Sequence, residues 1–153
     1  MKIRPEASED DRKIRKLLID AFGRPDEADL VAALRRDGAV AQALVAEVEG
    51  EIVGYLMLSH LDAPFSACAL APLAVAPMWQ RQGIGAALIE AIDTGCDAIF
   101  VLGDPAYYSR FGFSTDLATG YACAFAGPFF MVKPQAEIPA TGRIFYPQAF
   151  AAL

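Results

Sequence analysis

One passage in the middle of the chain restricts the fold more than any other. An apolar extended run, Ala67 to Ala76, leads into Gln80-Arg81-Gln82-Gly83-Ile84-Gly85-Ala86 and then into the unbroken apolar run Ala98-Ile99-Phe100-Val101-Leu102. Between them Ile84, Ala87, Leu88 and Ala91 recur at helical spacing, and Gly95 supplies a stop, which predicts a helix of about three turns. An apolar run without polar alternation is the pattern of a strand buried on both faces. Strand, helix and strand in this order predict a parallel pair joined by a right-handed crossover. Pro72 has no N–H for a ladder, so a bulge is expected inside the first strand.

The flanks supply simpler patterns. Ser8 followed by Glu9, Asp10 and Asp11 predicts a helix capped by Ser8, with Ile14, Leu17, Leu18, Ala21 and Phe22 on one face and a stop near Gly23. Pro25, Asp26, Glu27 and Asp29 open a second helix carrying Leu30, Val31 and Leu34 up to Asp37-Gly38, and the two helices form the polar, mobile front of the chain. From Ala43 to His60 the period changes to two around Glu49-Gly50-Glu51, which predicts a hairpin. Asp104-Pro105 starts a short helix, Ala106 to Phe111, closed by Gly112. Tyr121 to Phe125, Phe129 to Lys133 and Arg143 to Tyr146 read as strands. No repeat or linker interrupts residues 1–153, so a single domain is expected.

Composition narrows the function. At 55% hydrophobic and 21% charged residues, a chain of 153 can recover its ordering entropy by burial, which excludes intrinsic disorder. A formal net charge of −6 repels phosphate, so neither nucleic acid nor an anionic membrane is an expected partner, and a cationic small molecule is. Cys68, Cys96 and Cys123 are odd in number, widely spaced and set in apolar runs, which predicts free thiols acting as small hydrophobes in a reduced cytoplasm. Met1 to Glu6 run into the acidic cluster without the apolar stretch of a signal peptide. The stretch from Ala67 to Trp79, broken by Pro72 and Pro77, falls short of the about 20 residues that span a bilayer. No His, Cys, Asp or Glu cluster has metal-ligand spacing, so no metal is expected.

The glycine turn admits two readings. Glycines before a helix make a tight turn, and they also let a phosphate approach backbone N–H groups without a Cβ in the way. A mononucleotide P-loop fits poorly because no Gly-Lys-Ser/Thr follows, and a dinucleotide fingerprint fails because its third glycine would fall at Leu88. A diphosphate of another kind remains.

Gln80, Gly83 and Gly85, placed after Leu73-Ala74-Val75, resemble the Gln/Arg-x-x-Gly-x-Gly/Ala signature of the GCN5-related N-acetyltransferase (GNAT) family. The resemblance runs over nearly the whole chain, and the segment Leu102 to Phe113 is similar to one branch of that family. It implies an α+β, three-layer fold: a mixed, mostly antiparallel central sheet with a splayed parallel strand pair and flanking helices. It further implies that acetyl-CoA is the cosubstrate. Leu73, Ala74 and Val75 would pair with the pantetheine arm, and Arg81, Gln82, Gly83, Ile84, Gly85 and Ala86 would cradle the pyrophosphate. Tyr108, Gly112 and Phe113 match the family's Tyr-x-x-x-Gly-Phe ending, which makes Tyr108 the acid for the departing thiolate, with Tyr107 as its neighbour and rival. Core packing is the competing reading of both tyrosines.

Departures from the family pattern are specific. The asparagine that many relatives carry seven positions before the tyrosine is Val101 here, and Asp104-Pro105 replaces the usual helix start. No carboxylate lies within Ala67 to Ala76, so the proton acceptor is left among His60, a carboxylate and water. His60 reads first as an exposed strand end, and Glu47 and Glu49 alternate on a face that could meet a cationic amine or simply be solvated. Trp79 is expected to pack beside the turn, and Cys68 to sit in the core.

These readings lead to direct transfer of an acetyl group to a primary amine, borne by a small molecule or a peptide, in a ternary complex. A non-catalytic acyl-CoA-binding regulatory or interaction module is the alternative. The acceptor groove is expected between Ile14 to Gly38 and the back strands, with Phe129, Phe130, Phe145 and Tyr146 lining it, and the C-terminal strands offer an edge for a homodimer.

Overall fold

The structure, a computed structural model, describes residues 1–153. In chain order, β1 (Lys2–Pro5) precedes α1 (Asp11–Phe22) and α2 (Asp26–Arg36), which lead to β2 (Val40–Val48), β3 (Glu51–His60) and β4 (Ala67–Val75). Then come α3 (Ile84–Glu90), β5 (Ala98–Leu102), α4 (Pro105–Tyr108) and α5 (Thr115–Ala118), followed by the short strands β6 (Tyr121–Ala122), β7 (Phe130–Pro134) and β8 (Gly142–Arg143). Six strands make one sheet in the order β1-β2-β3-β4-β5-β7, antiparallel throughout except for the parallel pair β4–β5. β6 and β8 pair separately. No helix is long and apolar enough to cross a membrane.

The period-two pattern divides the core into two layers. Val45, Tyr55, Met57, Ala69, Phe100 and Phe130 point to one face, where Ile14, Leu18, Val31 and Leu34 of α1 and α2 cover them. Leu44, Leu56, Leu58, Cys68, Ile99 and Met131 point to the other, under Ile84, Leu88 and Ile89 of α3. The first two helices are therefore a packed layer rather than a mobile front. α2 is tied to the sheet by charge as well: fully buried Tyr55 donates to Glu6 Oε1 at 2.7 Å, and Arg35 clamps the same carboxylate at 2.8 and 3.1 Å.

Several expectations need correcting. Ser8 begins a short 3-10 turn instead of capping it, and the carboxylate of Asp10 accepts the Ala7 N–H at 2.7 Å. α3 has two turns rather than three, because the Asp93 N–H leaves the helix for the Gln42 side chain at 3.0 Å. The hairpin begins at Val40, and α5 is an additional element, started by Ser114 Oγ, which accepts the Leu117 N–H at 3.1 Å as an N-cap. The run from Tyr121 stops as a strand at Ala122, since Ala126 N–H turns back to the Cys123 carbonyl and Phe125 packs edge-on against Tyr146. The stretch from Arg143 is extended only over Gly142–Arg143. Finally, Cys68 and Cys96 form a disulfide between β4 and the segment before β5, leaving Cys123 as the free thiol. Wide sequence spacing concealed two residues that the crossover brings side by side.

Candidate active site

β4 has two differently bonded ends. Its first residues pair with β5 in the register Ala67↔Ala98, Cys68↔Ile99 and Ala69↔Phe100, and pairing stops there. Opposite β3, Leu56 faces Leu73 while Leu58 faces Leu70, so three steps along β4 oppose two along β3. One residue is extra. The bulge falls at Ala71–Pro72, as the proline predicted, and beyond it the two parallel strands diverge into a slot. Ala76 N–H donates to Val53 O, so the alternation along an antiparallel ladder directs Ala74 toward β3 and the peptide groups of Leu73 and Val75 toward the slot. Val75 O is held by the Gln80 side-chain amide at 3.1 Å.

At the end of β4 the chain passes through the 3-10 turn Pro77–Trp79 into the glycine turn. Arg81 and Gly83 both lie in the left-handed region, at φ 63° and 83°. For Gly83 this costs nothing, whereas an arginine held there is strained by roughly 1 kcal/mol and must be retained by its surroundings. Trp79 packs on the α3 side of the core, as expected. Gly54 on β3 sets the height of α3: a Cβ there would stand 2.8 Å from Ile84 Cγ2 and 3.0 Å from Leu88 Cδ1.

The turn faces the tyrosine helix across a cavity of about 440 Å³. Val75, Gln80, Arg81 and the residues from Gly83 to Ala86 form one wall, and Tyr107 and Arg110 form the other. Asp104 Oδ1 caps α4 by accepting the Ala106 N–H at 3.0 Å, and Gly112 at φ 93° ends the segment. The two phenols play different parts. A Cβ on Gly85 would stand 2.7 Å from Tyr107 Oη, so this glycine leaves room for that hydroxyl. The Tyr108 ring instead lies against Phe113 at 5.7 Å and over Gly103, where a Cβ would stand 2.5 Å from its Cε2. Gly103, like Gly54, carries no signal in the sequence because a glycine that accommodates a distant ring leaves no local pattern.

Burial, and next the neighbouring Tyr107, push the Tyr108 phenol up to about 12. Tyr107 is raised by burial against the opposing charge of Arg110. Both therefore hold their protons at neutral pH. Of the two, Tyr107 lines the cavity and Tyr108 does not.

The profile of the Acetyltransferase (GNAT) domain matches residues 39–115, from β2 through the slot and both tyrosines to the start of α5. The uncharacterized N-acetyltransferase YhbS of Escherichia coli K12 is 38% identical over 136 residues, 83% of this chain and 81% of that protein. This chain belongs to the GNAT acetyltransferase family. YhbS represents the branch that Leu102 to Phe113 resembles. A second relative from that bacterium, the uncharacterized N-acetyltransferase YjhQ, is 41% identical over 65% of this chain and 62% of its own length. The crystal structure of YhbS in complex with CoA superposes with a TM-score of 0.86 at 33% identity, covering 98% of this chain and 91% of that one. A GNAT family acetyltransferase from Brucella melitensis in complex with acetyl-CoA gives 0.83 at 28%, covering 97% of each chain. The mixed six-stranded sheet with flanking helices is thus the GNAT fold.

Within this GNAT domain the remaining candidates separate from the slot. His60 is exposed and pairs with Cys68 at the closed end of β4, five residues and about 16 Å of strand from Leu73. Glu47 is engaged by Arg4 at 2.8 Å, and Glu49 sits in the hairpin turn at φ 50° instead of sharing a strand face with it. Of the four aromatics expected around an acceptor, Phe130 is buried in the core against Phe100, and Tyr146 packs between Phe125 and Phe150. Phe129 and Phe145 are exposed, and Phe129 O accepts the Gly103 N–H beside exposed Leu102, at the open end of β5. No three His, Cys, Asp or Glu side chains come together as a metal site.

Proposed function

We propose that this protein transfers the acetyl group of acetyl-CoA to a primary amine by direct attack in a ternary complex. The observation that carries the proposal is the cavity that joins the free edge of β4, the glycine turn and the tyrosine helix. The pantetheine arm would add to the free edge through the peptide groups of Leu73 and Val75, beside Ala74, while the backbone of Arg81, Gln82, Gly83, Ile84, Gly85 and Ala86 would hold the pyrophosphate. Glycines at 83 and 85 keep that wall free of Cβ atoms.

In the reaction the amine lone pair attacks the thioester carbonyl, a slot-facing N–H stabilises the developing oxyanion, and the carbon–sulfur bond breaks. The departing thiolate takes the phenolic proton of Tyr108, and the proton lost by the amine goes to water, because β4 carries no carboxylate and His60 stands at its other end. That same water restores the Tyr108 proton. Exposed Leu102 and Phe129 beside the slot favour an acceptor with an apolar body, and the net charge of −6 favours one that arrives as a cation and gives a proton to water before its lone pair attacks.

Location in the cytoplasm, where acetyl-CoA is supplied, belongs to the same proposal. It rests on that supply alone, because the Cys68–Cys96 disulfide removes the argument from free thiols. The test is thiol release from acetyl-CoA on presentation of an amine panel. Steady turnover is expected with at least one amine, and CoA binding without turnover on any of them would leave a carrier-binding module instead.

A further inference from the structure

Arg110 lies on the 3-10 turn Ser109–Phe111 that follows α4. Its guanidinium carbon stands 5.1 Å from the ring centroid of Tyr107 and 5.3 Å from that of Phe111. Two ring faces hold the planar group from its apolar side and leave its N–H edge free for a partner. Arg4, Arg15, Arg24, Arg35 and Arg36 each face a carboxylate, whereas Arg12, Arg81, Arg110 and Arg143 face none, and of these four only Arg81 and Arg110 lie in the cavity. These two line the same cavity from opposite walls, and no acidic side chain lines it with them. In a chain with net charge −6, two unneutralised guanidiniums in one cavity describe a place for an anion.

We infer that Arg110 is a second phosphate-binding arginine, which closes on a phosphate oxygen of acyl-CoA from the tyrosine side while the glycine turn holds the carrier from the other. The inference rests on the acetyl-CoA reading above and adds a side chain that the family signature does not contain. It also places phosphate binding and the acid on one aromatic stack, since Arg110 lies on Tyr107 and Tyr107 packs edge-on against Tyr108 at 5.1 Å.

Calorimetric titration of wild type and Arg110→Gln with CoA, dephospho-CoA and S-acetylpantetheine tests it. Removing one charge-assisted hydrogen bond in a half-open cavity raises the CoA dissociation constant about tenfold. If the oxygen belongs to the pyrophosphate, the weakening persists with dephospho-CoA; if it belongs to the 3′-phosphate, the weakening disappears there. Either pattern supports the inference, provided that both proteins bind phosphate-free S-acetylpantetheine equally and that added salt narrows the gap between them for CoA. An unchanged CoA constant overturns it and leaves the acetyl-CoA reading standing. An equal weakening with S-acetylpantetheine also overturns it, because Arg110 would then act only by packing the tyrosine helix. Failure of the wild type to bind CoA would strike the underlying reading itself.

Discussion

The two ends of β4 are both apolar and differently bonded. From Ala67 to Ala69 the strand is satisfied on both edges, by β3 and by β5, and a disulfide ties it to the crossover. From Leu73 to Val75 it is satisfied on one edge only, and every feature that resembles a site clusters there. A single extra residue at Ala71–Pro72 separates the two. Apolar side chains serve the first end as core, and in the proposed reading the second end offers a ligand its peptide groups rather than its side chains.

The sharpest way to break this comparison is to remove the proposed acid from the open end. Tyr108→Phe should lower kcat on an accepted amine by about a hundredfold or more while changing the CoA dissociation constant less than about twofold. Tyr107→Phe should do the reverse in part, because its hydroxyl sits over Gly85, on the wall proposed to hold the pyrophosphate. If Tyr107→Phe costs more turnover than Tyr108→Phe, the acid is the rival tyrosine. Unchanged turnover in both would remove phenol chemistry from the slot.

A second test leaves both phenols in place and moves one. Gly103→Ala puts a Cβ 2.5 Å from Tyr108 Cε2, so the ring must shift away from its packed position against Phe113. If Tyr108 is the acid as proposed, turnover should fall about tenfold, since a displacement of around an ångström in such a group is costly, and CoA should still bind. Gly54→Ala acts at the other wall, where α3 must rise off β3 to clear Ile84 and Leu88. Overpacking there should destabilise the fold by about 1–3 kcal/mol in urea unfolding and weaken CoA binding more than Gly103→Ala does. Equal effects of the two on CoA binding would contradict the division of labour between the walls.

Much of this arrangement is legible in the sequence because it is encoded locally. The bulge follows from a proline in a strand, the slot from two apolar runs joined by a helix, and the turn from closely spaced glycines. What the sequence conceals depends on pairs of distant residues. Gly54 and Gly103 matter for what presses on them, Arg110 for the ring beneath it, and Cys68 for a partner 28 positions away. Glu47 misleads for the same reason: its period on the strand is right, but Arg4 already occupies it. The C-terminal region is the least legible because short bridges such as Asp62↔Phe145 hold it, and these carry no period.

The smallest expected effect concerns a corner that should influence stability and leave the slot alone. Asp10 is buried where β1 meets α1, and two hydrogen bonds from Arg4, at 2.7 and 2.9 Å, lower its carboxyl from 3.8 to about 2. Its own burial opposes the shift, and the Ala7 N–H adds to it. A carboxyl lowered on folding stabilises the native state above its unfolded value, and that contribution is lost as pH falls toward its folded value. Between pH of about 4 and about 2, therefore, the stability gap between wild type and Asp10→Asn should shrink, while above about pH 5 it should stay constant. Other carboxylates titrate in both proteins and cancel in the difference. Urea midpoints at three pH values read the gap, and CoA affinity near neutrality should be the same in both. A gap that persists unchanged to low pH would mean that Arg4 does not hold Asp10 in its charged form, and a loss of CoA affinity would mean that this corner and the open end of β4 are not independent.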